Sequence, residues 1–436
     1  MDRICRSGIS SPDCRLETNI PVMDCIRGND NRIIDMVAHM TGKFQFYLLL
    51  AIFFLSNLAI SGTRPIVSIH AHGLGASAFY IGVLVAAFAV FPLFLAIRIG
   101  KWVDRFGTKT LTVWGGSGIA VALAVPIWQP TLAGLLFSQI CMGLANNCIV
   151  TATQKRVSIT GGNRDKAVTG MTTIAAAADF VAPAAGGMLY EHGGFRITFL
   201  VLLLLQLVLL VLARMMDSEP LKSKTATGNA EKKNTLGLLK DRHIRKGVLV
   251  SGLAVYSKDI FSAYFPVLSS GYGFSPTQTG AVLSFVAAAS VAVRLLQFKL
   301  VQWMQRDRLM AAALFIGAVA FTAASFLQHP WLLCATAICL GAGIGLVQPL
   351  SWVYLIEHTP KGREGEVLGL RSMLNRSWQL SGPLMLGVVG SSLGLMPVFW
   401  ACGLTLLCGS WYSLGKALPF VSAEVRQSVD SPGKGS

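Results

Sequence analysis

Between Arg196 and Arg214 the chain runs for seventeen residues, ITFLVLLLLQLVLLVLA, without a charged side chain. Comparable runs of about 20 residues recur along most of the sequence, and each is long enough to cross a bilayer core as a helix. They are too long and too continuously apolar to be alternating strands, which excludes a closed β-barrel. Of the 436 residues 53% are hydrophobic and only 13% charged, where soluble domains carry about a quarter charged. Soluble, disordered and disulfide-scaffold classes are therefore excluded. The chain reads as an all-α polytopic membrane protein.

With charged residues and turn formers as boundaries, twelve spans emerge, at 44–61, 77–97, 110–128, 131–153, 166–190, 195–213, 247–268, 277–297, 309–327, 331–356, 366–393 and 397–418. Residues 44–213 form a first six-helix half and 247–418 a second. A polar central loop, 214–246, joins them. Residues 1–43 interleave six basic with six acidic side chains and predict no core. They read as a tail or as sequence upstream of a start at Met36 or Met40, with a three-cysteine regulatory tail as the other option. Residues 419–436 form a C-terminal tail. Of the 37 lysines and arginines, 34 fall on one side of these spans, leaving Arg64 and Arg196 opposite and Lys258 inside a span. The positive-inside rule then makes both termini and the central loop cytoplasmic, in a multi-pass protein of the inner membrane. Topology accounts for the net charge of +16, so no nucleic-acid partner is expected. The nine cysteines include no C-x-x-C pair, and His70 and His72 lack supporting ligands, so neither a disulfide framework nor a metal site is expected.

The two halves repeat each other. Gly75-x-Ser77-x4-Gly82 returns as Gly273-x-Ser275-x4-Gly280, and Arg164-Asp165-x-x-Val168-x-Gly170 as Arg363-Glu364-x-x-Val367-x-Gly369. Ala182-Pro183-x-x-x-Gly187 returns as Gly382-Pro383-x-x-x-Gly387. Two six-helix halves in parallel repeat describe a transporter that rocks about a central site.

The loop after the second span reads Gly100-Lys-Trp-Val-Asp104-Arg105-Phe-Gly107-Thr-Lys109. It resembles the signature loop of the major facilitator superfamily. The resemblance implies that fold and gives Gly100, Asp104, Arg105, Gly107 and Lys109 the role of a conformational latch. Physically, the glycines permit a tight turn, and Asp104 suits a neighbouring helix N-terminus. The second-half counterpart, Lys299-Leu-Val-Gln302-Trp, lacks both acid and glycines. Ala178-Asp179-Phe-Val-Ala182-Pro183-Ala184-Ala185-Gly186-Gly187 resembles, in part, the Gly-Pro-x-x-Gly-Gly motif of proton-driven antiporters in that family. Pro183 and Pro383 kink their helices, while Gly186, Gly187 and Gly382 allow close packing. Where the family often places an Arg before Gly143 in the fourth span, this chain has Gln139.

Ionisable residues at mid-membrane depth are functional candidates by default. Asp179 and Asp259 are the carboxylates at that depth and the candidates for proton coupling. Asp179 is preferred, because it lies one turn before Pro183 and has no adjacent cation in sequence. Lys258 and Asp259 point about 100° apart on their helix and need not pair. Asn146, Asn147, Tyr256, Lys258, Gln348, Trp352, Asn375 and Arg376 are substrate-pathway candidates, with Arg376 able to attract an anion and Arg371 expected to snorkel toward headgroups.

No phosphate-binding Gly-x4-Gly-Lys loop and no hydrolase motif is present, so the chain is read as a transporter and not an enzyme. The resemblance implies a monomeric secondary transporter, needing no cofactor but a proton gradient, that exports a small organic molecule across the lipid bilayer. A proton-coupled importer and a transport-inactive membrane sensor remain as alternatives.

Overall fold

A computed structural model describes residues 22–159, 164–217, 235–360 and 363–414. The chain divides into two compact units, 1–48 and 49–436. In the first, the described residues are the beginning of helix α1 (Val22–Gly73). Then follow α2 (Ala78–Phe106), α3 (Thr108–Trp128), α4 (Leu132–Ile159), α5 (Arg164–Arg214), a 3-10 turn (Thr235–Lys240), α6 (Arg242–Gly271), α7 (Pro276–Trp303), α8 (Arg306–Ala324), α9 (Pro330–Glu357), α10 (Glu364–Leu393) and α11 (Leu395–Leu414). Among the described residues there is no strand. Helix α5 breaks at Gly194 into two arms, which brings the membrane helices to the expected twelve.

Several helices run past their expected ends. α1 is helical from Val22 and runs past Arg64 to Gly73, and α6 begins at Arg242 inside the expected central loop. α2 likewise continues through Arg98, Lys101 and Asp104 to Phe106, past most of the expected loop, and α7 through Lys299 to Trp303, so charged residues do not end these helices. Residues 1–21, 218–234 and 415–436 lie outside the described residues, as do parts of the tails and central loop expected there.

The internal repeat has a local physical meaning. Ser77 and Ser275 are the N-caps of α2 and α7, accepting the Tyr80 and Gln278 amides at 3.3 Å each. At Ser275 the cap is reciprocal, for the Gln278 side chain accepts the Ser275 amide at 3.0 Å. Packing repeats too. α3 packs on α4 as α8 does on α9, and α2 on α4 as α7 does on α9. Across the halves, α2 meets α10 and the first arm of α5 meets α7.

Single glycines make the sharpest junctions. Gly107, Gly194 and Gly394 separate α2 from α3, the two arms of α5, and α10 from α11, with φ of +84°, +72° and +89°. With ψ near 180°, this backbone region is essentially open only to glycine. Between α7 and α8 stand only Met304 and Gln305.

Among the described residues, nine helices, α5 counted once, are long and apolar enough to cross a membrane; α6 and α10 are not among them. Their polarity has a cause. α6 is buried along most of its length, and both helices supply charged side chains to an internal cavity.

Candidate functional site

A cavity of about 360 Å³ lies between the halves. Its described lining comes from α1, α2, α4, the first arm of α5, α6, α7, α9 and α10, and none from α3, the second arm of α5, α8 or α11. Spacing in sequence explains the choice of side chains. Asn57, Ser61 and Arg64 on α1, and Ser290 and Arg294 on α7, recur every three or four residues and so share one helix face.

Among the described residues, two ion pairs cross between the halves. Arg64 Nη1 donates to Asp259 Oδ1 at 2.8 Å, tying α1 to α6. Lys258 Nζ donates to Asp179 Oδ2 at 2.8 Å, tying α6 to α5. Ser61 Oγ donates to the other Asp179 oxygen at 2.5 Å. Lys258 and Asp259, adjacent in sequence, thus do not pair with each other but reach in different directions to the first half. Their settings differ. The Asp259 side chain is 7% exposed beneath an arginine, whereas the Asp179 and Lys258 side chains are 29% and 53% exposed. The Arg64 guanidinium also lies over the Phe88 ring, 4.8 Å from its centroid.

Of the expected pathway residues, Asn146, Lys258, Gln348 and Arg376 line the cavity. Tyr256 and Asn375 do not. Tyr256 packs edge-on against Trp378 and over Gly382, where a Cβ would stand 2.2 Å from its ring, and Asn375 donates to Ser251 Oγ at 3.1 Å. Both join α6 to α10 within the second half. Asn147 is buried without lining the cavity, and Trp352 is exposed with the Arg371 guanidinium 5.4 Å from its ring centroid. Arg371 itself does not snorkel. It is 9% exposed and donates to Gln348 Oε1 on α9 at 2.7 Å.

One end of the cavity is sealed by the repeated motifs meeting each other. A Cβ on Gly82 would lie 2.2 Å from the Pro383 carbonyl oxygen, and one on Gly280 would lie 2.2 Å from that of Pro183. Gly187 fits nearly as tightly against the Pro276 carbonyl, and Gly387 more loosely against Phe79 and Ala78, where a Cβ would lie 3.0 and 3.3 Å away. The Tyr264 hydroxyl sits between the carbonyls of Ala78 and Pro383, at 3.2 and 3.0 Å, and Glu191 Oε2 accepts the Thr277 amide at 3.1 Å. Gly186 packs instead on α1, a Cβ there lying 3.0 Å from Gly62 O. The glycines of one half's N-terminal motif therefore receive the proline kink of the other half, twice over. These contacts gather at the end carrying the α1–α2 and α6–α7 turns.

At the opposite end lies the signature motif, which is not a loop: Gly100–Phe106 form the last turns of α2 and only Gly107 parts them from α3. Asp104 binds Lys155 Nζ at 2.8 Å, and the same ammonium donates to Val103 O at 3.2 Å. The partner is thus near the last turns of α4 and not at a helix N-terminus, since α4 brings its basic end alongside α2. Arg105 lies over the Phe106 ring, Lys109 is half-buried in the first turn of α3, and Gly100 has open space where a Cβ would point.

Arg64 and Arg294 were missed as site residues, the first placed in an external loop and the second counted as a cytoplasmic flank. Both line the cavity. Their signal was there to find: each sits three or four residues from another polar residue on its helix, in register with the inner face. The sequence reason for preferring Asp179 also changes, because Lys258 reaches it from another helix.

The sequence matches the Major Facilitator Superfamily over residues 49–383. It is 22% identical over 398 residues to Multidrug resistance protein MdtG of Dickeya zeae (strain Ech586), covering 87% of this chain and 96% of that protein. It is 24% identical over 378 residues to Multidrug resistance protein 2 of Bacillus subtilis (strain 168), covering 84% and 94%. Among solved structures, the nucleoside transporter NupG superposes with a TM-score of 0.74 at 12% identity, over 85% of this chain and 98% of that one. Paired six-helix halves, the repeated motifs and the cavity between them agree with the match: this chain belongs to the Major Facilitator Superfamily and is a membrane transporter.

Proposed function

We propose that the protein exports a small organic molecule across the inner membrane in exchange for protons, with both termini cytoplasmic. The observation that carries this reading is the pair of salt bridges from α6 to the other half, at the cavity, where a proton can compete for a carboxylate. The multidrug-resistance names of the two relatives support export, and the asymmetry of basic residues supports the orientation. In that orientation the sealed end faces outward and the conformation is one that loads from the cytoplasm.

Asp179 is the proposed proton carrier. Protonating it removes the charge that holds Lys258 and leaves Ser61 as its remaining neighbour, which loosens α5 from α6 next to the Pro183–Gly280 contact. A neutral acid also avoids most of the desolvation cost of the ion while the site closes. Asp259, buried beneath Arg64, is the structural partner in the same scheme.

Flux in proteoliposomes with an imposed pH gradient, run in both directions with a panel of organic solutes, tests the reading. Asp179→Asn is expected to abolish proton-driven flux while substrate binding persists, and Asp259→Asn to impair binding or packing. Gradient-driven flux at the parental rate in Asp179→Asn would remove the coupling role from that residue.

A further inference from the structure

We propose that the cavity is built for a small organic anion, a carboxylate or a phosphonate, held by Arg294 and Arg376. The inference rests on the reading of the cavity as the substrate site.

Six ionisable side chains line the cavity: Arg64, Lys258, Arg294 and Arg376 against Asp179 and Asp259. Each carboxylate is already in a 2.8 Å contact with its own cation. That leaves two guanidiniums over. Arg294 on α7 donates through Nε to Gly345 O at 3.2 Å, and Arg376 on α10 donates through Nη1 to Gln379 Oε1 at 2.8 Å. Both acceptors are neutral, and among the described residues neither arginine meets a carboxylate within 4 Å. Asp179 is within electrostatic reach of Arg294, and Asp259 of Arg376, but both acids are engaged.

A guanidinium carries five N–H donors and stays charged, so each arginine keeps most of its donors for a ligand. Both terminal nitrogens of Arg294 are left for the two oxygens of a planar acid. In a cavity walled by helices, two uncompensated cations raise the local potential, draw in anions and repel cations. The remaining wall fixes the rest of the ligand. Ile60, Phe88, Phe261, Leu283 and Val286 give an apolar surface, so the anion carries an organic body. At about 360 Å³ the volume sits near the lower end for ligand sites, which favours a compact molecule.

Full-length protein in lipid nanodiscs should be titrated calorimetrically with four probes on one scaffold: benzoate, phenylphosphonate, benzamide and benzyltrimethylammonium. The two anions are expected to bind saturably, with the neutral amide and the cation at least about tenfold weaker. Arg294→Gln and Arg376→Gln should each weaken the anions by about tenfold or more, and the Lys variants, which keep the charge, should recover part of the loss. Thermal unfolding of every variant establishes that the fold persists, and the Lys pair serves where a Gln variant does not fold. No saturable anion binding at millimolar concentration, preference for the amide or the cation, or anion affinity unchanged in both Gln variants overturns the proposal. Gradient-driven flux distinguishes the two readings. Transport of the cation or amide with no anion binding leaves the transporter standing and sinks the anion site. Anion binding that depends on both arginines, without flux of any probe, keeps the anion site and sinks the cavity's role in transport.

Discussion

The sealed end and the cavity are built from the same repeat by opposite rules. At the sealed end the halves are near copies, with Gly82 under Pro383 and Gly280 under Pro183, where in each case a Cβ would lie 2.2 Å from the proline carbonyl oxygen. In the cavity they diverge. α6 carries Lys258 and Asp259 side by side, whereas its counterpart α1 carries Ser61 and Arg64, and each half supplies what the other lacks. Backbone fit can be shared by two halves because each presents the same glycine to the same proline carbonyl of the other. Charge cannot be, since like residues in both halves would face each other across the cavity and repel.

The largest effect should come from breaking that asymmetry. Arg64→Ala strands the buried Asp259 carboxylate, a change that costs about 3–5 kcal/mol for an uncompensated ion. Monodisperse protein extracted in mild detergent should fall sharply, and the double change Arg64→Gln with Asp259→Asn should restore it. A single variant that folds as well as the parent would show that the pair is not a structural tie.

Smaller, and equal in the two halves, should be the effect of wedging the seal. Gly82→Ala and Gly280→Ala each place a methyl against a carbonyl, and overpacking of this kind costs about 1–3 kcal/mol. That is enough to shift an opening equilibrium by about tenfold. Thiol labelling of a cysteine introduced at Ala78 should accelerate in both variants alike. Unequal acceleration would mean that the seal is less symmetric in its energetics than in its geometry.

The smallest effect on stability is expected at the signature motif. The Asp104 side chain is 73% exposed, and its contact with Lys155 joins two helices of one half. Asp104→Asn should change thermal stability by about 0–1 kcal/mol while reducing flux, and changing Gln302 should do less. Equal flux losses at both positions would argue against a specialised latch in the first half.

How far the sequence could be read follows the same division. Twelve helices, two halves and the motifs that form the seal were legible because apolar length, Gly–Pro patterns and Ser caps act locally. Asp179, Asp259, Lys258 and Arg376 were legible because charge inside an apolar run stands out. Arg64 and Arg294 were not, since a charge near the end of a run looks the same whether it marks a loop or faces an interior. Partner choice was equally hidden: nothing in the order of residues says that Lys258 bonds α5 and Asp259 bonds α1. Arg371 was misread for a related reason, its acceptor Gln348 being supplied by another helix.

The single-glycine junctions carry a mechanical consequence. Each of the four helices that form the seal, α2, α5, α7 and α10, is followed within two residues by a helix that takes no part in the cavity: α3, the second arm of α5, α8 and α11. Such elbows have no slack, so a seal helix that tilts must drag its outer companion along. Those companions present Leu204, Val211, Phe315, Val319, Leu404 and Trp411 outward, on the side where acyl chains lie. A cycle that tilts the seal helices would therefore displace lipid, and bilayer thickness and stiffness would become part of the load against which it works.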